Sequence, residues 1–133
     1  MWLYASIQAH QTVGVETVLS TPKYRRLVRA AKKRKFTIRL IYVLLNSPQL
    51  NVDRVRLRVA KGGHDVPTEK ILERRERSLG QLPWFLRQAD DAWLFDNSGD
   101  KPQLIGTKSK GKIKLQSTAL PEIKKAVRLI GSE

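Results

Sequence analysis

The segment that most constrains the fold is residues 37–45, which read Thr-Ile-Arg-Leu-Ile-Tyr-Val-Leu-Leu. All of these residues except Thr37 and Arg39 are apolar, which makes the run the strongest strand signal in the chain. Strands that read as nearly continuous apolar runs are typical of parallel sheets that helices cover on both faces. The segment therefore predicts a buried parallel strand in an α/β domain.

The residues before this strand predict a second strand and a helix. Residues 13–19 form a short β-branched run with one acid, Glu16, which is the pattern of a buried strand with a polar group near its end. Pro22 and the hydroxyl groups of Ser20 and Thr21 then predict a helix start. The apolar stripe of that helix is Tyr24, Leu27, Val28 and Ala31. A strand, a helix and a strand predict a βαβ unit. Glu16 has two interpretations: an ordinary acid that faces water or pairs with an arginine, or a residue of the functional site.

The remaining elements follow from capping and turn signals. They are a helix end within residues 1–11, a helix after the capping residues 46–48, a helix that Gly80 ends, a short helix that Pro83 starts, a strand at 92–96, a turn at 96–99, a hairpin of 103–107 and 112–115, and a closing helix at 121–130. At 133 residues and 41% hydrophobic content, the chain is long enough for one domain with a modest core.

Composition excludes several classes of protein. The chain has no cysteine, so disulfides, thiolate metal sites and a cysteine nucleophile are excluded, and no metal site is predicted. No apolar run approaches the roughly 20 residues that a membrane helix needs, and the first residues lack the basic start of a signal peptide. The sequence therefore predicts a cytoplasmic protein without a membrane partner.

Positive charge is the most unusual bulk property. The 26 Lys and Arg residues exceed the 12 Asp and Glu residues, which gives a formal charge of +14 and favours polyanionic partners. Nine of the cations lie in residues 23–39, where there is no acid: Lys23, Arg25, Arg26, Arg29, Lys32, Lys33, Arg34, Lys35 and Arg39. Such a run is either a solvated helix face or a surface that attracts nucleic acid or an acidic protein. No aromatic interleaving or base-reading motif within the run supports nucleic-acid binding.

A glycine-containing loop separates two arginine-rich helices. The loop reads Lys-Gly-Gly-His-Asp-Val-Pro at residues 61–67, so that Gly62 and Gly63 end one helix and the proline favours the start of the next. On the first helix Arg54 and Arg58 are four residues apart. On the second helix Arg74 and Arg77 are three apart and share a side that Arg75 does not. Arginines facing each other across a mobile loop predict a lid over a phosphate, although a helical arginine pair is also common on ordinary surfaces. His64 is predicted to shape this loop or contact a ligand rather than act as a base.

These features together resemble a known family. The motifs are Val15-Glu16-Thr17 with Leu19-Ser20, an Arg-Val-x-x-Arg-Val helix at 54–59, the Gly-Gly-His-Asp-Val-Pro loop, Ile-x-x-Arg-x-x-Arg-Ser-Leu at 71–79, and Phe-Asp-Asn-Ser at 95–98. In this order they resemble the zeta-toxin-like family of P-loop kinases over residues 5–107. The loop followed by Arg-Ser-Leu is the most specific part of the match.

The resemblance implies an ATP-dependent, magnesium-requiring phosphotransferase with a doubly wound α/β fold. The best-known members of that family phosphorylate UDP-N-acetylglucosamine and are neutralised by an antitoxin. By this resemblance Glu16 and Thr17 contact the substrate hydroxyl, and Asp96 and Asn97 lie near the nucleotide. Arg74, with Arg54 or Arg58 from the other side of the lid, is implied to steady the transferring phosphate. The lid residues Gly62, Gly63, His64, Asp65 and Arg77 are implied to lie by the nucleotide. Such residues suit a reaction that positioning and charge neutralisation catalyse.

The chain departs from the family in one large respect. Nothing in it matches Gly-x-x-x-x-Gly-Lys-Ser/Thr, the loop that cradles nucleotide phosphates. The resemblance therefore predicts the C-terminal half of such a kinase, inactive alone. The fold expected is a partial doubly wound three-layer sandwich that lacks the P-loop strand and ends in a β-hairpin and a closing helix.

Loss of a P-loop strand has a physical consequence for the predicted sheet. That strand normally lies between the strands at 13–19 and 37–45, so its absence leaves two apolar strand edges unpaired. Direct pairing of the two strands, self-association, or a strand from a P-loop-containing partner would close the gap. The predicted partners are thus such a half, a second copy or an antitoxin, with nucleic acid as the alternative.

Overall fold

The computed structural model describes residues 2–131, which form an α/β fold with a mixed four-stranded sheet and five α-helices among the described residues. The helices are α1 (Trp2–Gln8), α2 (Arg25–Lys33), α3 (Pro48–Ala60), α4 (Thr68–Gln88) and α5 (Pro121–Gly131), and a 3₁₀ turn (Pro22–Tyr24) precedes α2. The strands are β1 (Arg39–Leu44), β2 (Asp91–Asp96), β3 (Gln103–Ser109) and β4 (Lys112–Leu115). They lie in the order β1-β2-β3-β4, with β1 and β2 parallel and the other pairs antiparallel.

Local sequence signals explain where several elements begin and turn. Thr21 caps the 3₁₀ turn before α2, and the Ser47 Oγ accepts a hydrogen bond from the backbone N–H of Leu50 at 3.2 Å to cap α3. The hairpin between β3 and β4 turns at Lys110 and Gly111, whose φ angles of +52° and +77° fit a two-residue turn of type I′. The predicted hairpin, closing helix, α2 and α3 are therefore confirmed. The helix expected within residues 1–11 is confirmed as α1, apart from Met1, which lies outside the described residues.

The core lies between one face of the sheet and helices α4 and α5. Its fully buried side chains come from both layers: Leu82 and Leu86 of α4, Leu94 of β2, Ile105 of β3 and Ile123 of α5. A smaller cluster joins α1 to α2 through Leu3, Ile7, Leu27 and Ala31. The helices that cover the sheet thus lie on one side of it.

The other face of the sheet is open. We call this surface the open face; it consists of Ile41, Val43, Trp93, Phe95 and Leu104. Ile41 is 68% exposed and Val43 is 53% exposed, while Trp93 and Phe95 are partly buried and belong to neither core cluster of the described residues. The expectation that helices cover β1 on both faces is therefore wrong, and the described residues form two layers rather than three. A continuous apolar strand is therefore also compatible with a sheet that helices cover on one face only, with the second face left available to another surface.

The strand predicted at residues 13–19 is also absent, and with it the βαβ unit around α2. This segment has no regular secondary structure, and most of its side chains are exposed, including Val15 and Val18. Only Leu19 reaches the main core. A β-branched run needs a neighbouring strand to take its backbone hydrogen bonds, and none is adjacent here. The parallel pair is β1 and β2, joined through α3 and α4, so the predicted gap between two strands does not arise.

Helix α4 runs without a break where the sequence predicted two helices. It passes through Gly80 and Pro83 and ends at Gln88. An interior proline costs a helix about 3 kcal/mol, but the turns around it carry the fully buried Leu82 and Leu86 into the core. Packing of this apolar stripe outweighs both helix-breaking signals.

Candidate functional site

The predicted lid, residues 61–67, projects beyond the carboxyl ends of the parallel strands. Helix α4 ends three residues before β2 begins, so its C-terminus lies at the edge of the sheet where the parallel strands start. The helix has 21 residues and spans about 31 Å, whereas a six-residue strand spans about 20 Å. The N-terminal turns of α4 and the loop before them therefore extend past the opposite edge. Ligands of α/β proteins bind at that edge.

Short contacts give the lid a defined shape. Gly62 has a φ of +96°, and the Gly63 N–H donates to the Arg58 carbonyl at 2.9 Å. A Cβ at Gly63 would lie 3.0 Å from that same carbonyl oxygen, so the close approach favours glycine there. His64 is exposed. The loop is thus folded back onto the end of α3.

Arg56 of α3 contacts the lid, and the sequence did not single it out. Its Nη1 donates to the Asp65 carboxylate at 2.5 Å and its Nη2 donates to the Thr68 Oγ1 at 2.7 Å. The guanidinium therefore ties the end of the lid and the first residue of α4 to α3. Asp65, which the resemblance implied to lie by the nucleotide, is held in the loop by this contact. The Arg56–Asp65 spacing of nine residues follows no helical or strand period, so only the folded loop reveals the pair.

The predicted site arginines of the two helices beside the lid differ in their contacts. The Arg54 Nη2 donates to the Asn97 carbonyl at 2.8 Å, and the Arg77 Nη2 lies 3.4 Å from the Glu73 carboxylate. Arg58 and Arg74 are exposed, and within residues 2–131 neither side chain has a hydrogen bond or an ion pair. The sequence left Arg54 and Arg58 as alternatives. Of these two, Arg58 is the one whose side chain has no partner within residues 2–131.

Arg75 points away from the lid, as predicted, and is buried between α4 and the sheet. It is 6% exposed, its Nη2 donates to the Leu45 carbonyl at 3.0 Å, and it lies 3.9 Å from the Glu122 carboxylate. Close to it, the Tyr42 hydroxyl lies 2.8 Å from the Ser78 Oγ. Burial raises the pKa of Tyr42, while the hydrogen bond to Ser78 and the charge of Arg75 act in the opposite direction. This polar group joins β1 to the covering helices.

The turn after β2 brings Asp96 and Asn97 to the end of β1. The Asp96 carboxylate accepts hydrogen bonds from the backbone N–H of Ser98, at 3.0 Å, and from its hydroxyl. The Asn97 N–H donates to the Leu44 carbonyl at 2.9 Å, and the Asn46 N–H donates to the Ser98 Oγ at 2.7 Å. These hydrogen bonds hold the ends of β1 and β2 together, and the hydrogen bond from Arg54 to the Asn97 carbonyl links α3 to them.

The predicted substrate residues lie elsewhere. Glu16 is exposed in the segment that is not a strand, and the Thr17 Oγ1 accepts a hydrogen bond from the nearby Leu19 N–H at 3.1 Å. No contact among the described residues joins either side chain to the lid. Within residues 2–131 no three His, Asp or Glu side chains form a metal-binding group.

The basic surface of α2 is a second candidate site. We call the exposed cations of α2 and of the residues that flank it the α2 face: Lys23, Arg26, Arg29, Lys32, Lys33, Arg34 and Lys35. Arg25 and Arg29 lie 4.9 and 5.3 Å from the ring centroid of Trp84, and Arg26 lies 5.8 Å from that of Tyr4. The sequence showed no aromatic interleaving in this stretch because both rings come from other helices.

Two shallow grooves continue this positive surface around the end of the sheet. The first, of about 360 Å³, is lined by Lys32, Arg87, Gln88, Ala89, Asp90, Asp91, Lys108, Lys110 and Gly111. The Lys108 ammonium donates to the carbonyls of Leu86 and Arg87 at 2.8 and 3.0 Å, and burial together with Lys32 lowers its pKa although Asp90 opposes this. The second groove, of about 370 Å³, is lined by Thr107, Ser109, Lys110, Lys112 and Lys114. Lys110 is common to both grooves.

Comparison with known proteins leaves the site to be interpreted from its geometry. No helix in residues 2–131 has the length and apolar character needed to cross a membrane. No protein-family model, curated protein or solved structure matches this chain.

Proposed function

We propose that this chain is the lid-bearing part of an ATP-dependent phosphotransferase that resembles the zeta-toxin-like kinases. The observation that carries the proposal is the state of the lid arginines. Arg58 and Arg74 belong to the two helices that the lid joins, and both side chains are free of other partners in the described part of the chain. Free guanidinium groups on both sides of a loop suit the oxygens of a polyphosphate.

In this proposal the chain supplies charge and position rather than covalent chemistry. Arg58 and Arg74 neutralise phosphate charge, while Arg56 and the glycine pair set the shape of the loop between their two helices. Arg54, Asp96 and Asn97 hold the strand ends beneath the nucleotide. Glu16 and Thr17 keep the acceptor-hydroxyl role only by resemblance. A P-loop-containing partner supplies the rest of the site, including the magnesium-binding hydroxyl, and an antitoxin is a further proposed partner.

The test is calorimetric titration of the purified chain with ATP in the presence of magnesium. We expect weak binding that the double variant Arg58→Ala/Arg74→Ala abolishes, together with no ATP hydrolysis or phosphotransfer by the chain alone. Lys33→Ala/Arg34→Ala removes the same number of charges from the α2 face and is expected to leave ATP binding unchanged. Equal losses in both double variants would show non-specific attraction to a basic chain and would contradict the proposal. Magnesium-dependent turnover by the chain alone would refute the assignment of the P-loop to a partner.

A second candidate function is binding of nucleic acid through the α2 face. The observation that favours it is this layer of cations with no acid among them, in which Arg29 lies over the ring of Trp84 beside the less exposed Arg25. Binding dominated by phosphate contacts weakens steeply with salt. We expect Lys33→Ala/Arg34→Ala to lower affinity for RNA and to reduce the slope of the salt dependence by about 1 for each phosphate that the variant can no longer neutralise. Arg58→Ala/Arg74→Ala serves as the control with the same net charge. An unchanged salt slope in Lys33→Ala/Arg34→Ala would rule out the α2 face.

A further inference from the structure

The open face combines apolar side chains with aromatic rings in aligned rows. Ile41 pairs with Trp93, and Trp93 pairs with Thr107. In the next row Val43 pairs with Phe95 and Phe95 with Leu104, because a bulge after Leu94 shifts the register of β3. Side chains directly opposite each other project from the same face, so Trp93 and Phe95 lie in the middle of one surface.

Cations border this surface on the side of the hairpin. Thr107 pairs with Lys114 and Ser109 pairs with Lys112, which places both lysines on the same face as Trp93. With Lys110 at the turn they line the second groove, and we call these three residues the hairpin lysines. At the opposite edge Arg39 belongs to the same face, and it lies 3.7 Å from the Asp91 carboxylate. The acid of this face therefore has a partner, whereas the hairpin lysines have none among the described residues.

We propose that the open face binds single-stranded nucleic acid, with bases stacked on Trp93 and Phe95 and phosphates held by the hairpin lysines. The two aromatic residues are two positions apart on β2, so their rings lie about 7 Å apart along one face. Aromatic side chains on an open sheet are an established way to stack unpaired bases, and each stacked base adds affinity without requiring a particular sequence. The proposal rests on the second candidate function only for the general affinity of the chain for polyanions, and it uses no residue of the α2 face.

Charge decides between this ligand and a protein that covers the open face. An exposed apolar patch beside the free edge of β1 also suits a second copy of the chain. Each copy carries a formal charge of +14, and the hairpin lysines border the patch, so two copies would bring like charges together. A single-stranded polyanion with exposed bases satisfies the apolar centre and the positive border at the same time.

The experiment compares three probes and two substitutions at one position. Fluorescence anisotropy measures binding of a short labelled oligothymidylate, with unlabelled inorganic polyphosphate and a DNA duplex as competitors. Trp93→Leu removes the ring but keeps an apolar side chain, and we expect it to weaken oligothymidylate binding roughly tenfold or more. Trp93→Phe keeps a ring and is expected to retain most of the affinity. Competition by polyphosphate, which has no bases, should be the same for all three proteins.

Each outcome bears on a different part of the proposal. Selective loss in Trp93→Leu, with an unchanged unfolding midpoint, supports stacking on the open face. Oligothymidylate binding that Trp93→Leu leaves intact overturns the open-face site while polyanion binding by the α2 face stands. Absence of binding by all probes overturns both. Sedimentation that shows the unliganded chain to be a dimer, which Ile41→Lys converts to a monomer, overturns the proposal in favour of a second copy.

Discussion

The two faces of the same sheet are both rich in apolar side chains, yet only one is a core. On the covered face Leu94 and Ile105 are fully buried beneath α4 and α5. On the open face Ile41 and Val43 alternate with core residues along β1 and remain more than half exposed. Apolar residues on both faces of a strand indicate that burial of both faces would be favourable. They do not show that helices of the same chain cover both faces. Substitutions on the two faces should therefore differ widely in effect.

The largest effect is expected on the covered face. Leu86→Ala removes a fully buried side chain of α4 from between the helix and the sheet. We expect the free energy of unfolding to fall by about 2 to 5 kcal/mol, since the lost burial is added to the cost of the cavity. Urea unfolding followed by circular dichroism measures the change. A decrease below about 1 kcal/mol would mean that α4 does not pack on the sheet.

A smaller effect is expected at the polar contact within the covered face. Tyr42→Phe removes the hydroxyl that lies 2.8 Å from the Ser78 Oγ, and it should cost about 1 kcal/mol near neutral pH. The folded state raises the pKa of Tyr42 above its ordinary value of 10.0, so its contribution is complete below that pH and is lost as the pH rises through the folded pKa. The difference in unfolding free energy between Tyr42→Phe and the unsubstituted chain should therefore change above pH 10.0 and not below it. A difference that varies between neutral pH and about pH 9, below that range, would contradict the assignment.

The helix that covers the sheet offers a stabilising test. Gly80 lies inside α4 and is exposed, and a Cβ added there would meet no atom within 4 Å. Gly80→Ala is expected to stabilise the chain by about 0.5 to 1 kcal/mol, because alanine loses less conformational freedom in a helix. Gly99→Ala, in the turn after β2, is a control at an equally open position outside a helix. Destabilisation by Gly80→Ala would indicate that the covering helix ends at residue 80, as the sequence predicted.

The smallest effect is expected on the open face. Ile41→Thr keeps the β-branched shape at a position that is 68% exposed. The free energy of unfolding should change by no more than about 0.5 kcal/mol. Thermal unfolding over a range of protein concentrations measures it. A decrease near that of Leu86→Ala would show that the open face is buried in solution.

Local signals predicted much of the fold, and long-range packing accounts for the errors. The caps at Thr21 and Ser47 and the Lys110–Gly111 turn depend on neighbouring residues, so α2, α3 and the hairpin were predictable. The strand predicted at residues 13–19 does not form, because a strand exists only beside a partner strand. The break predicted at Gly80 and Pro83 failed because the burial of Leu82 and Leu86 comes from contacts that are distant in sequence.

The candidate sites divide in the same way. The glycine pair and Pro67 indicated where the loop at 61–67 lies, and helical periodicity indicated the different orientations of Arg74 and Arg75. Two contacts were not predictable: the hydrogen bond from Arg54 to the Asn97 carbonyl and that from Arg56 to the Asp65 carboxylate. Both depend on how the loop and the strand ends pack together, which no local sequence pattern encodes. The row of Trp93 and Phe95 beside the hairpin lysines became visible only with the register of β2, β3 and β4.

The most direct test of the contrast between the two faces is the indole N–H signal of Trp93 in a nitrogen–proton correlation spectrum, assigned by comparison with Trp93→Phe. On titration with oligothymidylate we expect this signal to shift progressively, together with amide signals of β2 and the hairpin lysines. Inorganic polyphosphate should leave the indole signal in place. A Trp93 signal that stays fixed while signals of α2 or the lid move would contradict the account, because the ligand would then bind elsewhere and leave the open face unused.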